Sequence, residues 1–276
     1  MAILGAVLGD IIGAQYEFNR PKNLDWKNVP LLGEYGVGFT DDTVMALAIK
    51  KALDEGLDLV ETMVDVGRRY PFCGYGGNFY HWIYGEEHRP YGSWGNGSAM
   101  RVAYVGEFYD DYEKMQEAAA KTAKVSHDHP EGIKGAVVTS TCIWMARHGK
   151  SKEEIYDYVF AQYPPEMYPF SIDKDMEYLR KHYQWTEKCS DTVPAAMRCF
   201  YESRDYESFM RNIFSLECDS DTFGAIAGGV AEEFYHGFGE LDGEKIVKKY
   251  LSEELRSILF GEENNDLGTH IEKCRN

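Results

Sequence analysis

A chain of 276 residues, 44% of them hydrophobic, is long enough for one large core and falls in the ordinary globular range, which excludes a disordered polypeptide. Its formal net charge of −17 repels phosphate backbones and anionic lipid surfaces, so general nucleic-acid binding and membrane binding are not expected, while a small phosphorylated ligand stays compatible where bound cations reverse the local field. No uncharged apolar run reaches the roughly 18 residues of a membrane span, and six scattered cysteines (Cys73, Cys142, Cys189, Cys199, Cys218, Cys274) form no C-x-x-C pair, which points to a reducing cytoplasm.

Along the chain, Met1–Gly13 is apolar but lacks a basic leader and is interrupted by Asp10, so it reads as a buried helix rather than a signal peptide. Gly5, Gly9 and Gly13 give that helix a bare stripe for close packing, and Asp10 and Glu17 share a face if the helix runs that far. Helices are predicted over 42–54 and 57–69. Residues 71–98 are the least regular, rich in glycine and aromatics, as expected of a loop serving a site. A helix over 111–124 follows, then one with Ile133, Ala136, Val137, Ser140 and Trp144 on one face and Gly149 at its C-cap. Ser151-Lys152-Glu153-Glu154 is a capping box opening a helix to about Tyr163, which Pro164-Pro165 stops. Further helices are predicted at 173–183, 191–203, 205–217, 222–236 and 243–259. Strand-like stretches are few and no flexible linker divides the chain, so the expected fold is all-α, a single multi-helix domain over 1–276.

Two acidic clusters, Thr40-Asp41-Asp42-Thr43 and Asp219-Ser220-Asp221-Thr222, each precede an apolar run and so fall at helix N-termini. Capping explains one acceptor per helix, worth about 1 kcal/mol. Two carboxylates with flanking hydroxyls are a surplus that calls for a cation. Mg²⁺ takes hard oxygen ligands, and if the two helix starts face each other, Asp41, Asp42, Asp219 and Asp221 can bridge two ions about 3.5–4 Å apart. The stretch from Gly92 to Arg101 suggests a loop leading into a helix whose N–H groups cradle a phosphate, with Trp94 as a stacking surface; a plain glycine-rich turn is the alternative. It has no Walker lysine. His127, in Ser126-His127-Asp128-His129-Pro130, reads either as a ligand contact or as a turn residue.

Together with Gly9-Asp10-Ile11-Ile12-Gly13, Glu17, the Gly95–Arg101 stretch, Ser126–Gly132 and Ser190–Ala196, these clusters occur in an order that resembles the ADP-ribosylglycohydrolase family over nearly the whole chain. The resemblance implies an all-α fold with a binuclear metal site in a central cleft, holding two Mg²⁺ with Mn²⁺ as a substitute. It implies hydrolysis of the N- or O-glycosidic bond between ADP-ribose and a modified protein side chain, nucleic-acid base or small metabolite. Thr40, Asp41, Asp42, Asp219, Asp221 and Thr222 match the family's metal ligands, and Glu17 matches an acidic residue reaching the metals from a mobile segment. Gly92, Ser93, Trp94 and Asn96, with Gly95 and Gly97 in the same loop, match the segment that holds the diphosphate and distal ribose, and His127 matches a histidine of the ribose pocket. In the mechanism this suggests, Asp41 and Asp42 position metal and ribose while Glu17 orients or deprotonates the attacking water. Some bacterial relatives carry an acidic residue where Tyr91-Gly92-Ser93 stands here. Two other readings are carried forward: an HD-type phosphohydrolase built on His127-Asp128, and a family member that binds ADP-ribose without turnover.

Overall fold

The structure, a computed structural model, describes residues 1–261; Cys274 and the end of the expected 1–276 domain lie outside the described residues. Among the described residues there are fifteen α-helices and no strand, only one isolated bridge between Gly95 and Lys188. In chain order they are α1 (Ala2–Gly13), α2 (Asp41–Glu55), α3 (Leu59–Arg69), α4 (Gly77–Tyr84), α5 (Gly97–Met100), α6 (Ala103–Phe108), α7 (Tyr112–Lys124), α8 (Pro130–Arg147), α9 (Lys152–Gln162), α10 (Met176–His182), α11 (Cys189–Tyr201), α12 (Tyr206–Phe214), α13 (Ser220–Tyr235), α14 (Gly243–Tyr250) and α15 (Glu253–Phe260). None of them is long and apolar enough to cross a membrane.

Local chemistry sets most of the boundaries. Ser151 and Glu154 close the expected capping box at the start of α9, and Asp58 and Asp111 cap α3 and α7 by accepting from Glu61 N and Lys114 N. Gly149, left-handed at φ 70°, ends α8, where a side chain would strain the backbone. Pro130 opens α8, where its missing N–H costs nothing.

The spine is the pairing of α1 with α13. Helix α1 is buried along its whole length, and its most extensive packing is against α13. The glycine stripe lies against a second one: a Cβ on Gly9 would stand 2.2 Å from Gly224 O, and one on Gly5 2.4 Å from Gly228 O. With no side chain between them, the two backbones touch directly. Tyr206 Oη donates to Gly5 O at 2.6 Å and Ser220 Oγ to Gly13 O at 2.7 Å, pinning both ends of the seam. The helices run antiparallel, so the C-terminus of α1 meets the N-terminus of α13.

Three expectations are corrected. The predicted loop over 71–98 contains α4, which buries Phe79, Trp82 and Ile83 on one face. The predicted helix over 243–259 is two helices: Leu251 is extended (φ −74°, ψ 147°), and the Ser252 hydroxyl caps α15 by accepting from Leu255 N. Helices α10 and α12 are also shorter than expected, running Met176–His182 and Tyr206–Phe214.

Candidate functional site

At the α1–α13 junction the chain concentrates carboxylates. Asp10, near the end of α1, reaches across to the start of α2: its Oδ2 accepts from Thr40 N at 3.0 Å and Thr43 N at 3.1 Å, and its Oδ1 accepts from Thr40 Oγ1 at 2.8 Å. Thr43 Oγ1 donates to Oδ2 as well. One carboxylate thus satisfies the free N–H groups of a helix contributed by another part of the chain. Thr40, the cap residue of α2, accepts from Asp42 N at 3.3 Å through its hydroxyl. Beyond α1 the backbone continues as a single 3₁₀ turn, Ala14–Tyr16, which delivers Glu17 to the opening of α13.

Carboxylate oxygens of Asp10, Asp42 and Asp221 lie within 4.8 Å of one another, and those of Glu17, Asp219 and Asp221 form a second such group. Asp221 belongs to both. Asp42 Oδ2 and Asp221 Oδ1 are buried with no hydrogen-bond partner. Burial, and then mutual repulsion, pushes these groups up: Glu17 to about 9, with Asp221 as its nearest opponent, and Asp41 to about 8 against Asp10 and Glu17. Asp42 and Asp221 are held well above the usual carboxylate range by the same causes. Asp219 rises to about 7 through burial, restrained by hydrogen bonds from Asp221 and the Asn96 amide, and Asp10 only to about 6, because the threonine donors stabilise its charge. Crowded carboxylates with orphaned oxygens need either protons or a cation, and hard oxygen donors of this kind fit a divalent ion such as Mg²⁺.

Glu17, Asp41, Asp42, Asp219 and Asp221 floor a cavity of about 190 Å³, walled further by Phe79, Arg101, His127, Trp185 and Glu187. It runs into a second of about 560 Å³, lined further by Gly92, Trp94 and Lys188, the two sharing Asn78, Tyr91, Ser93, Gly95, Trp185 and Glu187. The second cavity alone falls within the 300–1,000 Å³ typical of small-molecule sites, and the first, over the carboxylates, adds to it. A third cavity, about 320 Å³, lies beyond Glu17 and Phe18 against Arg20 and Glu217.

The glycine-rich loop is fixed from three sides. Gly92, left-handed at φ 71°, donates its N–H to Asp128 Oδ1 at 2.7 Å; Asn96 N donates to Glu187 O at 2.6 Å; and Cys189 N donates to Trp94 O at 3.0 Å. Trp94 is 53% exposed, edge-on to His129. His127 is buried against Phe79 and Tyr91.

The structure therefore brings Glu17, Asp41, Asp42, Asp219, Asp221, Thr222, Ser93, Gly95, Asn96, Gly97 and His127 to one cavity, with Gly92 and Trp94 in the adjoining one. Thr40 sits behind Asp42 as its cap. Asp41 lines the cavity but falls outside both close groups; its Oδ1 faces the loop at Gly74. The Asn96 amide is turned onto Asp219 Oδ2 at 2.8 Å and so orients a carboxylate. Sequence reasoning put Asp10 on a face shared with Glu17, where the first helix can deliver carboxylates to a site, but left it out of the ligand set, and it passed over Arg101, Trp185 and Glu187 as site residues. Glu187 offered no local signal and Arg101 only its place at the end of the glycine-rich stretch, whereas Trp185 did offer one, as an aromatic in a polar stretch before α11. The HD reading finds no support: His127 and Asp128 precede α8 rather than lying on a helix, and neither belongs to the close carboxylate groups.

An all-α fold whose first helix packs on a late helix through facing glycines, with acidic clusters at two helix starts and a pinned glycine loop, defines a class. The ADP-ribosylglycohydrolase family model matches residues 1–241, and the chain belongs to that family. It is 27% identical over 256 residues to the ADP-ribosylhydrolase ARH3 of Bos taurus, covering 80% of this chain and 64% of that protein. With ARH3 of Homo sapiens the identity is 26% over 246 residues, covering 78% and 62%. The chain thus spans less than two thirds of the length of these relatives. A solved structure of an ADP-ribosylglycohydrolase-related protein complex aligns with a TM-score of 0.70 at 25% identity, covering 93% of each chain.

Proposed function

We propose that this protein is a Mg²⁺-dependent hydrolase that cleaves the glycosidic bond between ADP-ribose and a modified target. The observation that carries the reading is the pair of buried, unpartnered carboxylate oxygens on Asp42 and Asp221, at the floor of a cavity continuous with the glycine-rich loop. Thr40, Asp41, Asp42, Asp219, Asp221 and Thr222 would hold two Mg²⁺, for which Mn²⁺ can substitute. When bound, such ions supply positive charge against the sugar hydroxyls and acidify a water.

The chain's own groups do the rest. The loop from Gly92 to Gly97 and His127 hold the ADP-ribose, leaving its anomeric carbon over the carboxylates. Asp41 and Asp42 orient the ribose from the start of α2. Glu17, beside Asp221, directs a water at the anomeric carbon and takes its proton as the bond to the target breaks and an oxocarbenium-like state develops. The departing target takes up a proton and leaves through the third cavity, past Phe18 and Trp185.

Incubating the purified protein with defined arginine-, serine-, base- and metabolite-linked ADP-ribose, in Mg²⁺ or in EDTA, tests this. Free ADP-ribose should appear from at least one linkage in Mg²⁺ only, and Asp221→Ala should abolish its release. Tight ADP-ribose binding without hydrolysis of any linkage would establish a non-catalytic binder instead, and phosphate release from nucleotides a phosphohydrolase.

A further inference from the structure

Arg101 is a cation with no exposed surface, set behind a cavity whose other charged groups are acidic. Its Nη2 donates to Thr122 O and to Ser126 Oγ, each at 2.9 Å, and its guanidinium lies 5.3 Å from the centre of the Phe79 ring. Burying a guanidinium is costly. The Thr122 carbonyl, in the last turn of α7, offsets part of that cost, since helix C-termini favour cations. It does not explain the second bond.

Ser126 Oγ is also 2.8 Å from His127 Nδ1. A hydroxyl has one proton to give. Among the described residues the Ser126 hydroxyl bonds only to Arg101, which can only donate, and to His127, so the one acceptor open to its proton is Nδ1, and the ring hydrogen then sits on Nε2. The ring stays neutral, because burial and the nearby guanidinium both hold its pKa well below the ordinary value. Nε2 stands 3.0 Å from where a Cβ on Gly97 would be and 3.6 Å from the same point on Gly95, so it opens onto the loop through space those glycines leave free. Among the described residues no hydrogen-bond partner meets it.

We infer that Arg101 is a positioning residue: acting through Ser126, it fixes His127 as a neutral Nε2–H donor aimed at a hydroxyl or phosphate oxygen of a ligand lying along Gly95–Gly97. The ligand half of this inference rests on the proposed occupancy by ADP-ribose. The tautomer half does not. The relay also predicts how the three residues combine, since Arg101 and Ser126 affect binding only through the ring.

Long-range ¹H–¹⁵N correlation of the His127 ring in the ligand-free protein should give the Nε2–H tautomer, and Ser126→Ala should shift it towards Nδ1–H. By calorimetry, Ser126→Ala should weaken ADP-ribose binding about tenfold, the loss of one hydrogen bond. His127→Phe should weaken it at least as much, and the double variant no more than His127→Phe alone. Arg101→Lys, if it folds by circular dichroism, should reproduce the tautomer change; the Ser126 variants carry the test if it does not. An Nδ1–H ring in the parent, or a full Ser126→Ala effect persisting in the His127→Phe background, overturns the inference. No ADP-ribose binding by the parent, with the Nε2–H ring and its response to Ser126→Ala intact, overturns the functional reading and upholds the relay.

Discussion

Gly9→Ala perturbs the seam on which the site depends. Its added methyl would lie 2.2 Å from Gly224 O and 2.4 Å from Gly224 C, where ordinary contact begins at 3.4 Å. Both atoms are backbone, so no side chain can turn aside and α1 and α13 must part by roughly 1 Å in a close-packed interior. Overpacking of this kind costs about 3 kcal/mol, at the upper end of the usual range. Alanine's better helix propensity returns up to about 1 kcal/mol. The net loss of about 2 kcal/mol should lower Tm by about 4–8 °C. The same displacement separates Asp10 and Glu17 from Asp221, so the stabilisation by excess Mg²⁺, about 2.7 kcal/mol at a hundredfold excess over Kd, should shrink with it. Thermal melts by circular dichroism with and without Mg²⁺ read both effects. Gly38→Ala, where a Cβ meets nothing within 4 Å, is the control and should melt like the parent. A Gly9→Ala protein with parental Tm and parental Mg²⁺ response would refute the seam argument.

Two other outcomes follow from the carboxylates. Glu17, Asp41 and Asp219 titrate near 9, 8 and 7 when folded, above the range of about 4 for an unfolded chain. The folded protein therefore holds more protons, and metal-free stability should fall as pH rises from 6 to 9, by several degrees of Tm. Saturating Mg²⁺ should flatten that slope, and a metal-free Tm that is level or rises over this window would contradict the crowding. Asp10→Ala strips Thr40 and Thr43 of their shared acceptor and leaves buried donors at the start of α2 unsatisfied, at about 2–4 kcal/mol. It should lower Tm by about 4–16 °C in EDTA, and a change of under 1 °C would show that α2 does not need the cap.

What could be read from the sequence was what neighbouring residues decide. The Ser151 capping box, the Gly149 stop and the apolar periodicity of α8 and α9 are local signals, and the glycine stripe in α1 announced a close helix partner without saying which. The acidic clusters were legible as helix starts for the same reason. Asp10 was not legible as the cap of α2, because that bond joins residues whose meeting depends on how α1 and α2 cross. Asn96 could be placed in a binding loop, yet its amide turns to Asp219, more than a hundred residues away. Asp41 and Asp42 looked equivalent, but adjacent positions on a helix point about 100° apart, so one joins the close group and the other faces Gly74. Arg101 looked like the end of a glycine motif, and only its burial reveals a partner for Ser126. The break between α14 and α15 was missed because both halves share one apolar period, although Ser252 before Glu253-Glu254 carries a capping signal.

Two acidic helix starts, brought together by the α1–α13 seam, are proposed to act as one centre for divalent cations. Counting bound Mg²⁺ by equilibrium dialysis of metal-stripped protein tests it most directly. The parent should bind two ions per chain, and the Asp219→Ala/Asp221→Ala double variant, shown folded by its melting transition, should bind none tightly. Mg²⁺ binding by the parent no greater than by the double variant would contradict it.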